Sequence, residues 1–155
     1  MNKTAKKIRG FTLVELIVVI AIIAVLAAVF VPVLITYIDV ARIGKLNTNA
    51  RHIYGAAVYA ISDCVVDSSN GVILPDAVYT GDASDLIAYS SGGGQCSMAN
   101  YLGSDFKGYF AFETDSNGSC LYALWSENPI SVSDVEQLTQ QDIESKYVGC
   151  YPIKP

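Results

Sequence analysis

The feature that most constrains this chain is an uninterrupted apolar stretch close to its amino end. From Leu16 to Ile35, twenty residues pass without a charged or strongly polar side chain. A helix rises about 1.5 Å per residue, so this stretch reaches roughly 30 Å, the thickness of a bilayer's hydrocarbon core. Glu15 stands immediately before it. A carboxylate there is costly in lipid unless it is protonated, paired or at headgroup level, which makes Glu15 a functional candidate.

Charge is divided unevenly between the first ten residues and the rest of the chain. The chain has a formal net charge of -5, yet four of its ten basic residues lie within residues 1–10. Such a basic leader is retained in the cytoplasm by the positive-inside tendency, which places the remainder outside. That remainder has 6 basic against 15 acidic residues. No basic patch for phosphate neutralisation is therefore indicated, and no nucleic-acid partner is predicted.

Beyond the apolar stretch, the same helix is predicted to continue with a narrow apolar stripe. The stripe follows alternating spacings of three and four residues: Ile43, Leu46, Ala50, Ile53, Ala57 and Ile61. Polar residues such as Arg42 and Lys45 fall off it, as expected for an amphipathic helix. We predict one helix from Phe11 to about Ser62, with a kink or loosening at Pro32 because proline lacks an amide hydrogen.

The region after this helix is polar and turn-rich, and its patterns predict a small antiparallel sheet. Phe106–Glu113 and Cys120–Ser126 are rich in β-forming residues, and Asn117-Gly118 between them predicts a hairpin turn. Ser133 with Glu136 fits a capping box and predicts a short helix. The tail around Pro152 fits a last strand at a sheet edge. The predicted fold class is therefore α+β.

Four cysteines follow the apolar stretch, and their spacing bears on redox state and metal binding. None forms a C-x-x-C pair, and His52 is the only histidine, so a zinc site is not indicated. An even number of well-separated cysteines in an exported region is typical of two disulfides. Four cysteines allow three pairings.

Two ordinary explanations of the amino end fit less well. A cleaved secretory signal has an apolar core of 7–15 residues and a small-residue cleavage site, whereas this run is longer and offers no clean A-x-A. A plain uncleaved membrane anchor explains the length and orientation but not Glu15. No constellation of polar residues indicates catalysis, so neither an enzyme nor a cofactor is predicted.

The segment KKIRGFTLVEL, residues 6–16, resembles the prepilin leader junction of type IV pilins and their relatives. That pattern is a short basic leader ending in glycine, then Phe-Thr-Leu-x-Glu-Leu, then an apolar helix. Six residues match it together: Gly10, Phe11, Thr12, Leu13, Glu15 and Leu16. Pro32 also falls where pilins commonly carry a helix-disrupting proline. The resemblance is close over residues 6–35 and loose along the amphipathic helix.

This resemblance implies a specific processing event and a specific assembly contact. A membrane-embedded prepilin peptidase would cut between Gly10 and Phe11 and then methylate the new amino terminus of Phe11. Glu15 would pair with the terminal amine of a neighbouring subunit during assembly. Thr12 and Pro32, as part of the same pattern, would also contribute to assembly.

The resemblance also favours one disulfide arrangement, because pilins often close a carboxyl-terminal loop with a bridge. Cys120 would then pair with Cys150. Cys64, just beyond the helix, would pair with Cys96, and this bridge would close the chain segment between them into a loop. The other two pairings remain open at this stage.

The organisation implied is that of a pilin lollipop. Residues 1–10 would be the leader, 11–36 the apolar helix of the membrane and filament core, 37–63 the amphipathic half, and 64–155 the head. The chain would be a single-pass membrane protein with its head outside the cytoplasm, and then a subunit of an extracellular homo-oligomeric pilus built by pilus assembly machinery. The alternatives are a pseudopilin of a type II secretion or competence system and an unassembled membrane-anchored binding domain.

Overall fold

The computed structural model describes residues 11–66, 69, 71–139, 143 and 148–152. The chain divides into two compact units, one ending at Val40 and the other beginning at Ala41. The predicted leader, residues 1–10, lies outside the described residues. The elements in chain order are α1 (Leu13–Val66), β1 (Gly71–Val72), β2 (Val78–Asp82), β3 (Ile87–Ser90), β4 (Gln95–Ser97), β5 (Tyr109–Thr114), β6 (Cys120–Ser126), α2 (Val132–Gln137) and β7 (Gly149–Tyr151).

Helix α1 begins two residues later and ends four residues later than the sequence predicts. It continues through Pro32 without interruption. The hydroxyl of Thr36 donates a hydrogen bond to the Pro32 carbonyl at 3.3 Å, a local i to i-4 contact of the kind threonine makes in helices. Within the first unit the large apolar side chains of α1 are exposed, from Phe11 to Val40.

The second unit contains a sheet whose strands, among the described residues, are all antiparallel and run in the order β1-β4-β3-β2-β5-β6-β7. The predicted hairpin is confirmed, because β5 pairs with β6 from Tyr109↔Ser126 to Thr114↔Cys120. Gly118 in its turn has φ +78, a conformation that favours glycine. Strand β7 is at a sheet edge, as predicted. The α+β fold class is confirmed.

One face of the sheet packs against the amphipathic part of α1, and the predicted stripe is confirmed. Five of its six residues are buried: Leu46, Ala50, Ile53, Ala57 and Ile61. The first residue of the predicted stripe, Ile43, is half-buried. From the sheet the five buried residues meet the side chains of Phe110, Phe112, Ala123 and Trp125, which belong to the same core cluster. Alanine at two of these helix positions, Ala50 and Ala57, permits a close approach of helix and sheet.

The opposite face of the sheet carries a second, smaller core. Its members are Ala111, Tyr122, Leu124, Val135, Leu138, Ile143, Val148 and Cys150. Alternation along β5 and β6 sends neighbouring residues to the two faces, so each strand contributes to both cores. Helix α2 supplies Val135 to this cluster and covers it from the side away from α1.

The capping box predicted at Ser133 and Glu136 is wrong by two residues. Helix α2 is capped by Ser131, whose hydroxyl accepts from the Asp134 N–H, while the Asp134 carboxylate accepts from the Ser131 N–H. Ser131 and Ser133 are each followed three residues later by an acidic residue, so both fit the sequence pattern of a capping box. Val135, within this helix, is fully buried in the second core.

Gly149 in β7 has no room for a side chain, because the strand passes directly against α1. A Cβ built there would lie 2.0 Å from the Leu46 carbonyl oxygen and 2.3 Å from its carbon. We therefore expect Gly149→Ala to lower the free energy of unfolding by about 3 kcal/mol, since both colliding atoms are backbone. Denaturant titration of the detergent-solubilised full chain measures this.

Gly44 provides the control for that substitution. A Cβ added at Gly44 meets nothing within 4 Å. Gly44→Ala is expected to be neutral or to stabilise α1 by up to about 1 kcal/mol, the gain in helix propensity. Equal effects of the two substitutions would contradict the close approach of β7 to Leu46.

Candidate processing and assembly site

The amino end of α1 is closed by two residues that cap each other, Thr12 and Glu15. The Thr12 hydroxyl accepts a hydrogen bond from the Glu15 N–H at 3.3 Å. Glu15 Oε2 accepts from the Thr12 N–H and from the Thr12 hydroxyl, each at 2.8 Å. This is a capping box, in which side chains satisfy N–H groups that the first helical turn leaves unbonded. Glu15 therefore already has a structural role within its own chain.

The cap uses only one oxygen of the Glu15 carboxylate. Both bonds from Thr12 end on Oε2, and no described residue hydrogen-bonds Oε1. The neighbouring side chains of Leu13 and Leu16 are apolar and exposed. A cation from outside the chain can therefore reach Oε1 without displacing the cap. In an apolar setting such a pairing relieves the cost of an isolated charge.

The predicted scissile bond lies at the edge of the described residues. Gly10 lies outside them, whereas Phe11 is described and its side chain is 93% exposed. Phe11 directly precedes the capping residue Thr12. If the chain is cut before Phe11, the new ammonium is four residues from Glu15, a spacing at which helical side chains are neighbours. The roles of Gly10 and Phe11 stay predictions.

Comparison with known families addresses this same segment. A family profile described as the prokaryotic N-terminal methylation motif matches residues 5–31. Residues 5–31 carry the type IV prepilin-like signal. The signal indicates a type IV pilin-like or pseudopilin-like protein, a group that is structural rather than catalytic. It implies processing by prepilin peptidase and assembly into a pilus-like system. Searches of curated proteins and of solved structures gave no match to the chain.

A prepilin-like signal is followed by a helix that enters the membrane, and α1 has the required properties. Among the described residues, α1 is the helix long and apolar enough to cross a bilayer. Its most apolar 18-residue window has a mean hydropathy of 3.3, and none of that window is buried within the chain. These properties fit membrane anchoring before assembly.

Cys64 and Cys96, the first predicted disulfide pair, meet in the core of the second unit. Their Sγ atoms lie 3.1 Å apart, and both residues are buried. Burial, aided by the contact with Cys64, raises the pKa of the Cys96 thiol. Beside them the Tyr101 hydroxyl donates to the Asp63 carboxylate, which joins the same end of α1 to the segment after β4. The structure brings this pair together.

The second predicted pair is not brought together. Cys150 pairs in register with Leu124, four residues along β6 from Cys120. Cys120 packs against the core cluster that faces α1, whereas Cys150 belongs to the cluster on the other face. Burial raises the pKa of Cys120 to about 12, so its thiol stays protonated and reacts slowly in disulfide exchange. The bridge between Cys120 and Cys150 stays a prediction.

One feature of the site is missing from the sequence-based prediction, namely the cap formed by Thr12. The signal for it is present, because Thr12 and Glu15 have the S/T-x-x-E spacing of a capping box directly before an apolar run. The resemblance to the prepilin junction explains Glu15 through a neighbouring subunit. The structure adds a second reason for a carboxylate at the same position.

Proposed function

We propose that this protein is the structural subunit of a type IV pilus filament, cut between Gly10 and Phe11 and polymerised through α1. The observation that carries the proposal is the joining of a prepilin-like signal to an apolar helix whose side chains the chain itself leaves exposed. The second unit already has its own core on both faces of the sheet. The apolar half of α1 therefore requires cover from outside the chain.

Two environments can supply that cover in succession. Before assembly, lipid covers the residues from Leu13 to Val40, because transfer of apolar surface from water is favourable. In the filament, the same surface is covered by neighbouring copies of α1, which pack as apolar helices do in membranes. The exchange never exposes this surface to water. Glu15 then pairs with the amine of a neighbouring Phe11, which favours one register between adjacent helices.

The test of this proposal is the amino terminus of the mature protein. We expect its mass to correspond to a chain that begins at N-methylated Phe11. A chain that retains residues 1–10, or one cut beyond α1, would refute the proposal. Imaging of cells that produce the protein then separates a long filament, as expected here, from the short fibre of a pseudopilin and from an unassembled membrane-anchored domain.

We further propose that Cys64 and Cys96 form a disulfide outside the cytoplasm. The bridge would close a loop of 32 residues and hold the end of α1 against β4. The contact of their sulfur atoms supports the pairing, which is also the one that the resemblance to pilins implies for these two cysteines.

Cys64→Ser is therefore expected to lower the free energy of unfolding by about 3 kcal/mol, since a bridge mainly restricts the unfolded chain. Thermal or denaturant unfolding under oxidising conditions measures this, with reduced wild type as the reference. Cys120→Ser is the matched control and should leave the bridged peptide intact in a non-reduced digest. A digest in which Cys64 is joined to another cysteine would contradict the pairing.

A further inference from the structure

The second unit has an open groove of about 890 Å³ that its own cores do not use. One wall is the exposed side of α1, with Lys45 and His52, and the other is the segment before β5, with Lys107. Tyr59 and Tyr101 stack at one end, with ring centroids 5.8 Å apart. The groove is thus formed by two structural elements that are fixed to the same sheet.

This groove gathers the positive charge of an otherwise acidic unit. Residues 41–155 contain 6 basic and 13 acidic residues. Of the four lysines and arginines among the described part of that range, three line the groove: Lys45, Arg51 and Lys107. The fourth, Arg42, lies 3.7 Å from Glu127 in an exposed ion pair. Asp105 also lines the groove, so its lining has three basic side chains against one acidic side chain. A cleft with an excess of positive charge favours a partner of negative charge.

The two groove lysines differ from Arg51 in how they are held. Arg51 lies over the ring of Tyr151, 4.7 Å from its centroid, and donates a hydrogen bond to its hydroxyl. Lys45 and Lys107 are exposed, and no ion pair joins either ammonium to a described carboxylate. Arg51 therefore supports β7, whereas the lysines remain available to an outside partner.

The opposite end of the central strand carries the opposite charge. Lys107 lies two residues before β5, and Asp115 lies directly after it. Asp76 is exposed, and its N–H donates to the Asp115 carbonyl at 3.0 Å. Hydrogen bonds from the Ser119 and Asn117 N–H groups lower the pKa of Asp115, so it stays ionised. Six strand residues separate these ends by about 20 Å.

We propose that the groove receives the acidic end of β5, Asp76 and Asp115, from a second copy of this chain. The inference rests on the proposed filament and adds the contact between its outer parts. A site and its complement on different faces of one subunit form a heterologous contact, which builds an open helical assembly where its rotation does not close into a ring. The contact also offsets the mutual repulsion of acidic units packed side by side.

The experiment uses charge reversal in the full chain, with filaments sheared from cells and quantified. Lys107→Glu and Asp76→Lys are each expected to lower filament yield by about tenfold or more, because each places like charges across the contact. The double variant restores the pair and is expected to return the yield to within about threefold of wild type. Arg42→Glu is the matched control, with the same change of charge on α1 outside the groove, and should assemble normally.

A zero-length carbodiimide treatment of wild-type filaments provides the second measurement. It joins an amine to a carboxylate that touches it, so a peptide linking Lys107 to Asp76 or Asp115 must come from two copies, given their separation within one chain. Failure of the double variant to recover, or links from Lys107 only to other carboxylates, would overturn the proposal. Binding of heparin to the groove in intact filaments would do the same, because the groove would then be an open polyanion site.

These outcomes are distinct from failure of the proposed function. If wild type is not cut before Phe11 or forms no filament, the proposed function itself fails. If wild type and Arg42→Glu form filaments and the groove variants do so equally well, only the docking of the acidic end is excluded. Determining the mature amino terminus of every variant confirms that each has passed the processing step.

Discussion

Glu15→Gln is expected to reduce filament yield at least tenfold while leaving cleavage and membrane insertion intact. The substitution separates the helix cap that the structure shows from the proposed pairing with a neighbouring amine. Glutamine at the third helical position still accepts the Thr12 N–H bond, because a capping box admits Glu or Gln. It carries no charge and so cannot form an ion pair with an amine. Loss of that pair between adjacent helices removes a charge-assisted contact in an apolar setting.

The measurement compares three variants by sheared-filament yield and by the mass of the processed chain. Glu15→Ala removes both the cap and the charge, and we expect it to be as defective as Glu15→Gln. Thr12→Ala removes the hydroxyl that caps the Glu15 N–H but keeps the carboxylate. It is expected to retain most of the yield, since loss of one cap costs about 1 kcal/mol.

The opposite order of filament yields among these variants would contradict the pairing of Glu15 with a neighbouring amine. If Glu15→Gln assembles normally while Thr12→Ala and Glu15→Ala fail, the carboxylate acts only as a helix cap. If none of the three is defective, Glu15 is an ordinary charge at headgroup level. Each result assigns a different physical role to the same residue.

The sequence-based predictions are most accurate where a local pattern has a single structural explanation. The stripe from Leu46 to Ile61 is correct because a helix has one apolar face to bury, and the 3-4 spacing identifies it. The hairpin of β5 and β6 is correct because Asn117-Gly118 requires a turn between two β-prone runs. In both cases a few residues that are close together in the sequence are enough to predict the structure.

Prediction fails where several local solutions are equally good or where the contact is long-range. Ser131 with Asp134 and Ser133 with Glu136 have the same spacing, so the pattern alone does not choose between them, and the structure has the first. The bridge between Cys120 and Cys150 stays a prediction, because the sequence does not show the long-range register in which Cys150 lies opposite Leu124.

The groove could not be predicted from the sequence, because the residues that line it are far apart along the chain. Lys45 and Lys107 are 62 positions apart in the sequence, and only the packing of α1 against the sheet makes them neighbours. The short strands β1 to β4 lie in the polar, turn-rich region for which the sequence pattern indicates turns, so the order of the sheet could not be predicted there. The sequence therefore indicates the prepilin-like signal well and the surface of the second unit poorly.

Gly10→Leu is expected to leave the whole population as the uncleaved precursor and to abolish filaments. Gly10 lies at the predicted scissile bond, where the absence of a side chain leaves the backbone exposed to the peptidase. A gel detects the retained ten-residue leader, and the mass of the amino-terminal peptide confirms it. Gly44→Leu is the control for a bulky substitution, because it lies within α1 with open space around it, and it should be cut normally.

The combination of Gly10→Leu with Glu15→Gln tests the order of the two events. The ammonium of Phe11 exists only after cleavage, so an uncleaved chain has no amine for Glu15 to pair with. Processing and pairing then act in series, and the double variant is expected to insert into the membrane as well as Gly10→Leu alone. If Glu15→Gln lowers insertion of the uncleaved precursor, Glu15 already acts before the amine exists. A partner other than the neighbouring Phe11 would then be required to explain the carboxylate at this position.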